Sequence, residues 1–142
     1  MPCLQDEDVK IVQTGAIMRH LGRKHNLMGR AEMDHVHADM FYEGINDIMS
    51  QYYELIYGNY DEKKSTFVNN YLPDALDKLE NLLKMRSDGN GFILGENISY
   101  ADYALFEMLD VLLILSPTAL AKFPALKSLH QRLNQRPTLQ VI

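Results

Sequence analysis

Three consecutive residues, Gln13, Thr14 and Gly15, lie where the sequence changes from a strand-like to a helix-like pattern. Ile11 and Val12 before them are β-branched, which favours a strand, and apolar residues after them recur at helical spacing. The first turn of a helix exposes backbone N–H groups and the positive end of the helix dipole. With the Gln13 amide and the Thr14 hydroxyl, these groups could bind a carboxylate. The residues alone fit equally well a Thr14 that only caps its own helix.

Other reactive side chains lack the partners that their chemistry would need. His35 and His37 are two positions apart, so on a helix their rings point away from each other, and we expect no metal site. Cys3 follows a proline in a short apolar segment and is expected to be a buried structural thiol rather than a nucleophile. The carboxylates of Glu107 and Asp110 fall on a helix that we expect to be buried, where packing or partner contacts explain them.

The elements that must position the Gln13–Thr14 corner begin with a β-β-α unit. Residues 2–12 are predicted to form two short strands around an acidic turn, and residues 14–25 a helix. The segment HNLMGR then breaks the pattern, so we expect two domains, 1–25 and 26–142. Two strands and one helix cannot bury both faces of a sheet, so the first unit has the content of the second half of a larger domain.

From Glu32 onward the periodicity predicts helices only. Apolar residues recur at steps of three and four over residues 33–56, which indicates a long amphipathic helix that ends at Tyr57. A second helix is predicted over about residues 63–85. It should bend at Pro73, which lacks the backbone donor that a regular helix needs.

Two further helices complete a mostly α fold. Ser99 and Asp102 have the spacing of a capping box. The helix that follows them, to residue 115, is apolar almost all round and is expected to be the buried central helix. The last helix is predicted from Pro124 to Gln135.

The composition excludes several classes of protein. The chain has 142 residues, of which 46% are hydrophobic and 23% charged, as expected for a globular domain with a core. The net charge of −5 argues against a nucleic-acid partner. No apolar run is long enough to span a membrane. A single cysteine cannot form an internal disulfide, so a cytoplasmic location is expected.

Three stretches together, PCLQDEDVKIVQTGAIMRHLGRKHNL, ISYADYALFEMLD and FPALKSLHQRLNQRP, resemble the cytosolic glutathione S-transferases. The pi class is the most similar and the sigma class is next, over nearly the whole chain. The resemblance implies a thioredoxin-like N-terminal domain that binds glutathione and an all-helical C-terminal domain that binds hydrophobic electrophiles. It also implies a homodimer that conjugates the glutathione thiolate to such electrophiles in detoxification, with glutathione as co-substrate and no cofactor.

The resemblance assigns ligand-binding roles to five residues. Pro2 matches a proline, normally cis, whose neighbouring backbone pairs with the cysteinyl part of glutathione. Gln13 and Thr14 match the pair that holds the γ-glutamyl carboxylate. Asp47 matches an aspartate that reaches the same end of glutathione across the dimer. Tyr57 matches a tyrosine beside the electrophile, although simple packing at a helix end would also explain it.

Four more residues match positions of the subunit interface. Arg19 and Asp39 fall where family members pair charges between subunits. Met40 and Phe41 fall in the pocket that receives an aromatic "key" from the partner. The capping box at Ser99 is also a family feature, and its role is in folding.

Two features of the family have no counterpart in this sequence, the catalytic tyrosine on the first strand and the aromatic key. We therefore expect an N-terminally incomplete chain that is weak or inactive alone. If Met1 is a true initiator and is removed, Pro2 would have no preceding peptide bond that could be cis. A non-catalytic binding or scaffold protein, or a sigma-like isomerase that uses glutathione, remain alternatives.

Overall fold

The computed structural model describes residues 2–137, and within them it is mostly helical with one two-stranded sheet, as predicted. The elements in chain order are β1 Cys3–Asp6, β2 Val9–Val12, α1 Thr14–Lys24, α2 Glu32–Tyr57, α3 Tyr60–Thr66, α4 Leu72–Lys84, α5 Tyr100–Leu115 and α6 Pro124–Asn134. None of the helices in this range is long and apolar enough to cross a membrane.

The two strands form an antiparallel hairpin that is fastened to α1 by charged side chains. Leu4 lies opposite Ile11 in the register. The Asp6 carboxylate contacts His20 Nε2 at 2.6 Å and accepts a hydrogen bond from Lys24 Nζ at 2.5 Å. These contacts fix the hairpin against the helix that follows the Gln13–Thr14 corner.

Side chains of the helical domain come close to two glycines of α1. A Cβ at Gly22 would lie 3.1 Å from both Met28 and the Tyr100 ring, tighter than ordinary van der Waals contact. A Cβ at Gly15 would lie 3.4 Å from the Tyr42 ring. Because glycine adds no side chain here, α1 packs directly on α2 and α5.

The core is formed by α2, α4, α5 and α6, and α5 packs against α1, α2 and α6. One face of α5 is buried as predicted, but Glu107, Asp110 and Ile114 are exposed on the other, so the helix is not buried all round. The core contains large apolar side chains that are 0–2% exposed, among them Phe41, Ile48, Leu76, Leu105, Leu109, Leu112 and Leu126. Full burial of one such side chain contributes about 1.5–3 kcal/mol relative to leaving it exposed. The corner is therefore supported by a rigid helical scaffold.

Two buried carboxylates hold helix starts in this domain. Asp102 Oδ2 accepts hydrogen bonds from the Ser99 backbone and side chain, both at 2.7 Å, which confirms the predicted capping interaction. Its Oδ1 accepts the Ile93 N–H at 2.8 Å, so the preceding loop is fastened as well. Burial raises the pKa of Asp102 to about 6, although these hydrogen bonds oppose the shift.

The second buried carboxylate, Glu80 of α4, lies at the start of α6. Its oxygens accept the N–H groups of Ala125 at 3.0 Å and Leu126 at 2.9 Å, and Lys84 Nζ lies 2.9 Å from Oε1. Burial alone would raise the pKa of Glu80, but Lys84 and the two N–H groups outweigh burial and lower it. No local sequence signal predicts this contact, because Ala125 and Leu126 lie 45 and 46 residues after Glu80.

The helix predicted over about residues 63–85 begins earlier and changes form before Pro73. It starts at Tyr60, and α3 and α4 are joined by a π-helical turn over Phe67–Tyr71. The Leu72 N–H bonds to the Phe67 carbonyl within this wider turn. Since the Pro73 ring would crowd the carbonyl four residues earlier in a regular helix, a wider turn relieves that clash.

Two local predictions near the N-terminus are wrong. Thr14 is the first helical residue rather than the N-cap, and Gln13 occupies the N-cap position. Cys3 is exposed rather than buried, because the two-stranded sheet has no layer of structure over the face that carries it within the described residues.

Candidate functional site

The corner between β2 and α1 has an unusual backbone. Gln13 has φ 74° and ψ 120°, and its carbonyl accepts the Ile17 N–H at 3.0 Å to begin the helix. A positive φ is uncommon for a residue other than glycine, and such strain costs on the order of 1–3 kcal/mol. Gln13 and Thr14 are both exposed at the positive end of the helix dipole. This combination of strain, exposed polar side chains and helix N-terminus is what a carboxylate-binding corner needs.

A cleft of about 200 Å³ lies beside Thr14, between α1, α2 and α5. Complete small-molecule sites usually measure roughly 300–1,000 Å³, so this cleft fits one part of a binding site. Its other lining residues include Met18, Tyr42, Asn46, Met49, Tyr53 and Glu107.

Tyr53 is a cleft residue that the sequence reasoning missed. Its side chain is 50% exposed and its ring centroid lies 6.4 Å from that of Tyr57, one helical turn later. The spacing of four residues from Tyr57 was the signal that could have identified it.

Tyr57 does not pack at the helix end. It is the last residue of α2 and its side chain is 86% exposed. The packing alternative for this tyrosine is therefore wrong in the described structure. An aromatic ring in this position is available to a hydrophobic ligand that enters from the side of Tyr53.

The structure does not bring Asp47 to the corner within one chain. Asn46 lines the cleft beside Thr14, whereas Asp47 is exposed and lines a separate groove with Tyr71 and Lys78. Successive residues of a helix point about 100° apart, which separates the two side chains. The role of Asp47 in glutathione binding requires a second subunit and stays a prediction.

Comparison with known proteins gives a consistent result. Residues 46–141 match the family described as "Glutathione S-transferase, C-terminal domain". The chain is 52% identical over 140 residues to the glutathione S-transferase of Dirofilaria immitis and 51% identical to glutathione S-transferase 2 of Onchocerca volvulus. In both cases 99% of this chain and 67% of the relative are covered. The human glutathione S-transferase P is 38% identical, with 99% and 66% covered.

A solved structure decides the class. The pi-class glutathione S-transferase of Onchocerca volvulus superposes with a TM-score of 0.97 at 51% identity, covering 99% of this chain and 68% of that one. This chain belongs to the pi class of the glutathione S-transferase family. It spans about two thirds of the length of these relatives. Enzymes of this family use glutathione as a co-substrate and need no cofactor.

The charge pair predicted between subunits of this pi-class chain forms within one chain. Arg19 Nε lies 3.1 Å from Asp39 Oδ1, and the same guanidinium contacts Glu43. The Tyr100 hydroxyl also donates to Asp39. Burial lowers the pKa of Arg19, but the two carboxylates outweigh burial and raise it. Arg19 and Asp39 therefore fasten α1 to α2 and α5, and their contact with a partner subunit stays a prediction.

The two residues assigned to the partner's key differ in exposure. Phe41 is fully buried in the core of its own chain, so it is not available to a partner in this structure. Its role in the pocket for the partner's key needs a second subunit to test and stays a prediction. Met40 is 51% exposed, and Met33 and Val36 on the preceding turns are 65% and 43% exposed. An exposed apolar stripe on α2 therefore fits an interface role for Met40.

The remaining predicted site features concern the N-terminus and metals. Pro2 is exposed, but its bond to Met1 lies outside the described residues. Across residues 2–137 no peptide bond is cis. The same part of the chain holds no group of three or more side chains that could bind a metal ion.

Proposed function

We propose that the Gln13–Thr14 corner binds the γ-glutamyl carboxylate of glutathione in an enzyme that conjugates glutathione to hydrophobic electrophiles. The observation that supports it is the strained, exposed backbone of Gln13 at the first turn of α1. Strained residues cluster where a ligand must be held in a fixed geometry. Glutathione is proposed as the ligand because the relatives of this chain are glutathione S-transferases.

The reaction places different demands on the two ends of glutathione. At the reacting end, the thiol loses its proton and the thiolate attacks an electrophilic carbon, so that an S–C bond forms and the leaving group departs with its electron pair. At the other end, the corner would fix the tripeptide so that the thiolate is held in position. The eight tyrosines of this sequence lie at position 42 or later, and none of them is assigned to the thiol in this proposal.

A second part of the proposal concerns the electrophile. Tyr53 and Tyr57 present aromatic surface along one side of α2, next to the cleft that Thr14 lines. Aromatic rings bind planar apolar ligands by offset stacking and burial of apolar area. We therefore assign these two residues to the wall that contacts the electrophile, which would be a small hydrophobic molecule.

Dimerisation and location complete the proposed function. The exposed stripe of Met33, Val36 and Met40 would be covered in a homodimer, and Asp47 would then reach the partner's glutathione. The family relationship supports action in the cytoplasm on small hydrophobic electrophiles.

The direct test is Thr14→Ala, with glutathione binding followed by calorimetry. One hydrogen bond to a charged group contributes about 1.5–3 kcal/mol, so affinity should fall roughly 10-fold to 150-fold. The matched control is Thr66→Ala, at an exposed threonine of α3. An unchanged affinity would refute the assignment, whatever the effect of the substitution on the melting temperature.

The alternative is a non-catalytic binding function, which the cleft beside Thr14 and the exposed rings of Tyr53 and Tyr57 would also serve. A binding protein of this fold would bind glutathione or apolar ligands without conjugating them. Conjugation of glutathione to a chlorinated nitroaromatic separates the two. If this chain binds glutathione and the same chain joined to the additional N-terminal segment of a relative stays inactive, the binding function is supported.

A further inference from the structure

Two buried nitrogen atoms at the start of α2 have no hydrogen-bond partner in the described part of the chain. They are His37 Nε2 and Arg86 Nη1. The His37 ring lies edge-on against the Phe41 ring, with centroids 5.6 Å apart. A buried polar atom without a partner carries a desolvation cost of about 1–3 kcal/mol.

Asp34 links this pair to the turn that precedes α2. Its Oδ1 accepts a hydrogen bond from Arg86 Nη2 at 2.8 Å. Its Oδ2 accepts the backbone N–H groups of Arg30 at 3.0 Å and Ala31 at 3.1 Å. The Ala31 N–H, Arg86 and the Arg30 N–H lower the pKa of Asp34 to about 2. The carboxylate is thus ionised throughout the neutral and mildly acidic range.

The turn held by Asp34 joins α1 to α2 and follows the predicted domain boundary. Gly29 has φ 77°, and a Cβ there would lie 2.4 Å from the Asp34 side chain, so the backbone wraps closely around this carboxylate. A loss of the Arg86–Asp34 ion pair would weaken the link between the segment after α4 and this turn. It would also leave Asp34 with only the two backbone donors.

The charged groups that act on His37 come from two elements. Arg86, in the segment after α4, opposes a positive charge on the ring, and Asp34, one turn earlier on α2, favours it. Burial is the largest influence, and together with Arg86 it lowers the pKa of His37. A proton on His37 would therefore place two cations beside a single carboxylate that already accepts three hydrogen bonds.

We propose that His37 and Arg86 form a proton-sensitive latch at the start of α2. When the His37 ring takes up a proton from solvent, Arg86 is driven away from Asp34 towards water, which its 34% exposed side chain can reach. The turn over residues 29–31 is then held less firmly. Mild acid would thus loosen the turn between α1 and α2, while the Arg19 contacts and the core keep α1 in place.

The test is amide hydrogen exchange at Arg30 and Ala31, the two donors to Asp34, at pH 7.5 and 5.5. Protection factors remove the intrinsic dependence of exchange on pH. We expect protection at these two amides to fall severalfold at the lower pH in the natural sequence. The change should be absent in His37→Gln and retained in His35→Gln, the matched control at an exposed histidine of the same helix.

A second measurement keeps the proposal testable if His37→Gln folds poorly. The His37 ring, followed by NMR in the natural sequence, should titrate below the ordinary histidine value of 6.5. Arg86→Gln should move that midpoint upward, because the opposing cation is removed. A midpoint at or above 6.5, or protection at Arg30 and Ala31 that does not change between the two pH values, would overturn the latch.

Discussion

Glu80 is predicted to be the residue on which the start of α6 depends most. Its side chain is buried, with 2% of the residue exposed, and both carboxylate oxygens accept backbone N–H groups of the first turn of α6. A helix N-terminus leaves such groups without partners inside the helix. Glu80 belongs to α4, and it therefore caps the N-terminus of α6 from a neighbouring helix.

The expected loss of stability depends on which buried groups each substitution leaves without a partner. Glu80→Ala removes both acceptors, so two buried N–H groups lose their hydrogen-bond partners and Lys84 loses its carboxylate. Loss of one member of a buried charged contact costs about 3–5 kcal/mol, which would lower the melting temperature by roughly 10–20 °C. Glu80→Gln keeps one acceptor but turns an NH₂ group towards the second N–H, so a cost of about 1–3 kcal/mol is expected.

The control is Lys84→Met, which removes only the half-exposed side of the contact. Lys84 is half-exposed but Glu80 is buried, so the cost should exceed the ~0–1 kcal/mol of a surface ion pair, and it should stay below that of Glu80→Ala because both backbone donors to the carboxylate remain. Urea unfolding followed by circular dichroism gives the free energies, and exchange of the Ala125 and Leu126 amides locates the effect. The carboxylate is not the cap if Glu80→Gln lowers the free energy of unfolding as much as Glu80→Ala does. The same conclusion holds if neither substitution lowers it more than Lys84→Met.

The pH dependence of the Glu80 effect has a definite sign. The contacts lower its pKa below the ordinary 4.5, so its contribution is present above that pH and is lost as the pH falls through the folded-state value. The stability difference between the natural sequence and Glu80→Gln should therefore shrink in acid.

Three further predictions concern other residues. The contribution of Asp102 to stability has the opposite pH dependence, because its folded-state pKa of about 6 lies above the ordinary 3.8. The unfolding free energy of the natural sequence should fall relative to that of Asp102→Asn as the pH rises from about 4 to about 6. A rise would mean that the hydrogen bonds of Asp102 outweigh its burial. Tyr57→Ala should leave the stability within about 0.5 kcal/mol, because the side chain is 86% exposed. In this chain joined to the additional N-terminal segment of a relative, it should raise the KM for a chlorinated nitroaromatic severalfold, and an unchanged KM removes Tyr57 from the electrophile wall. Gln13→Gly keeps a backbone that tolerates the positive φ but removes the side-chain amide, so it should weaken glutathione binding in calorimetry; unchanged binding would remove the Gln13 amide from the proposed site.

Local signals predicted most of the fold. The hairpin, α1, α2, α5 and α6 were predicted within a few residues of their observed bounds, because apolar periodicity, the Ser99–Asp102 spacing and Pro124 act over one or two turns. These signals come from residues that are close in the sequence, and the elements that they predict are the ones that the packed structure contains. The family resemblance, read from three stretches of the sequence, was confirmed by the comparisons.

Contacts between distant residues could not be predicted in the same way. Periodicity put Met33, Val36, Met40 and Phe41 in one apolar set, yet the first three are exposed and Phe41 is buried. Which part of a broad apolar surface faces the core depends on how α2 lies against α5, and that is a property of the assembled fold. The π turn before Pro73 likewise depends on how the chain accommodates the proline ring, for which a kink and a wider turn are alternative solutions.

The most informative local failure is at the corner itself. A threonine before an apolar helical pattern favours an N-cap, but the chain puts Gln13 there at φ 74° and makes Thr14 the first helical residue. A sequence selected only for helix stability would place a capping side chain in relaxed extended backbone at this point. In the observed arrangement Gln13 has a strained backbone, and Thr14 is an exposed residue of the first turn rather than a cap. Because local rules are expected to fail mainly at functional sites, this failure favours carboxylate binding over capping, which the sequence alone left evenly balanced.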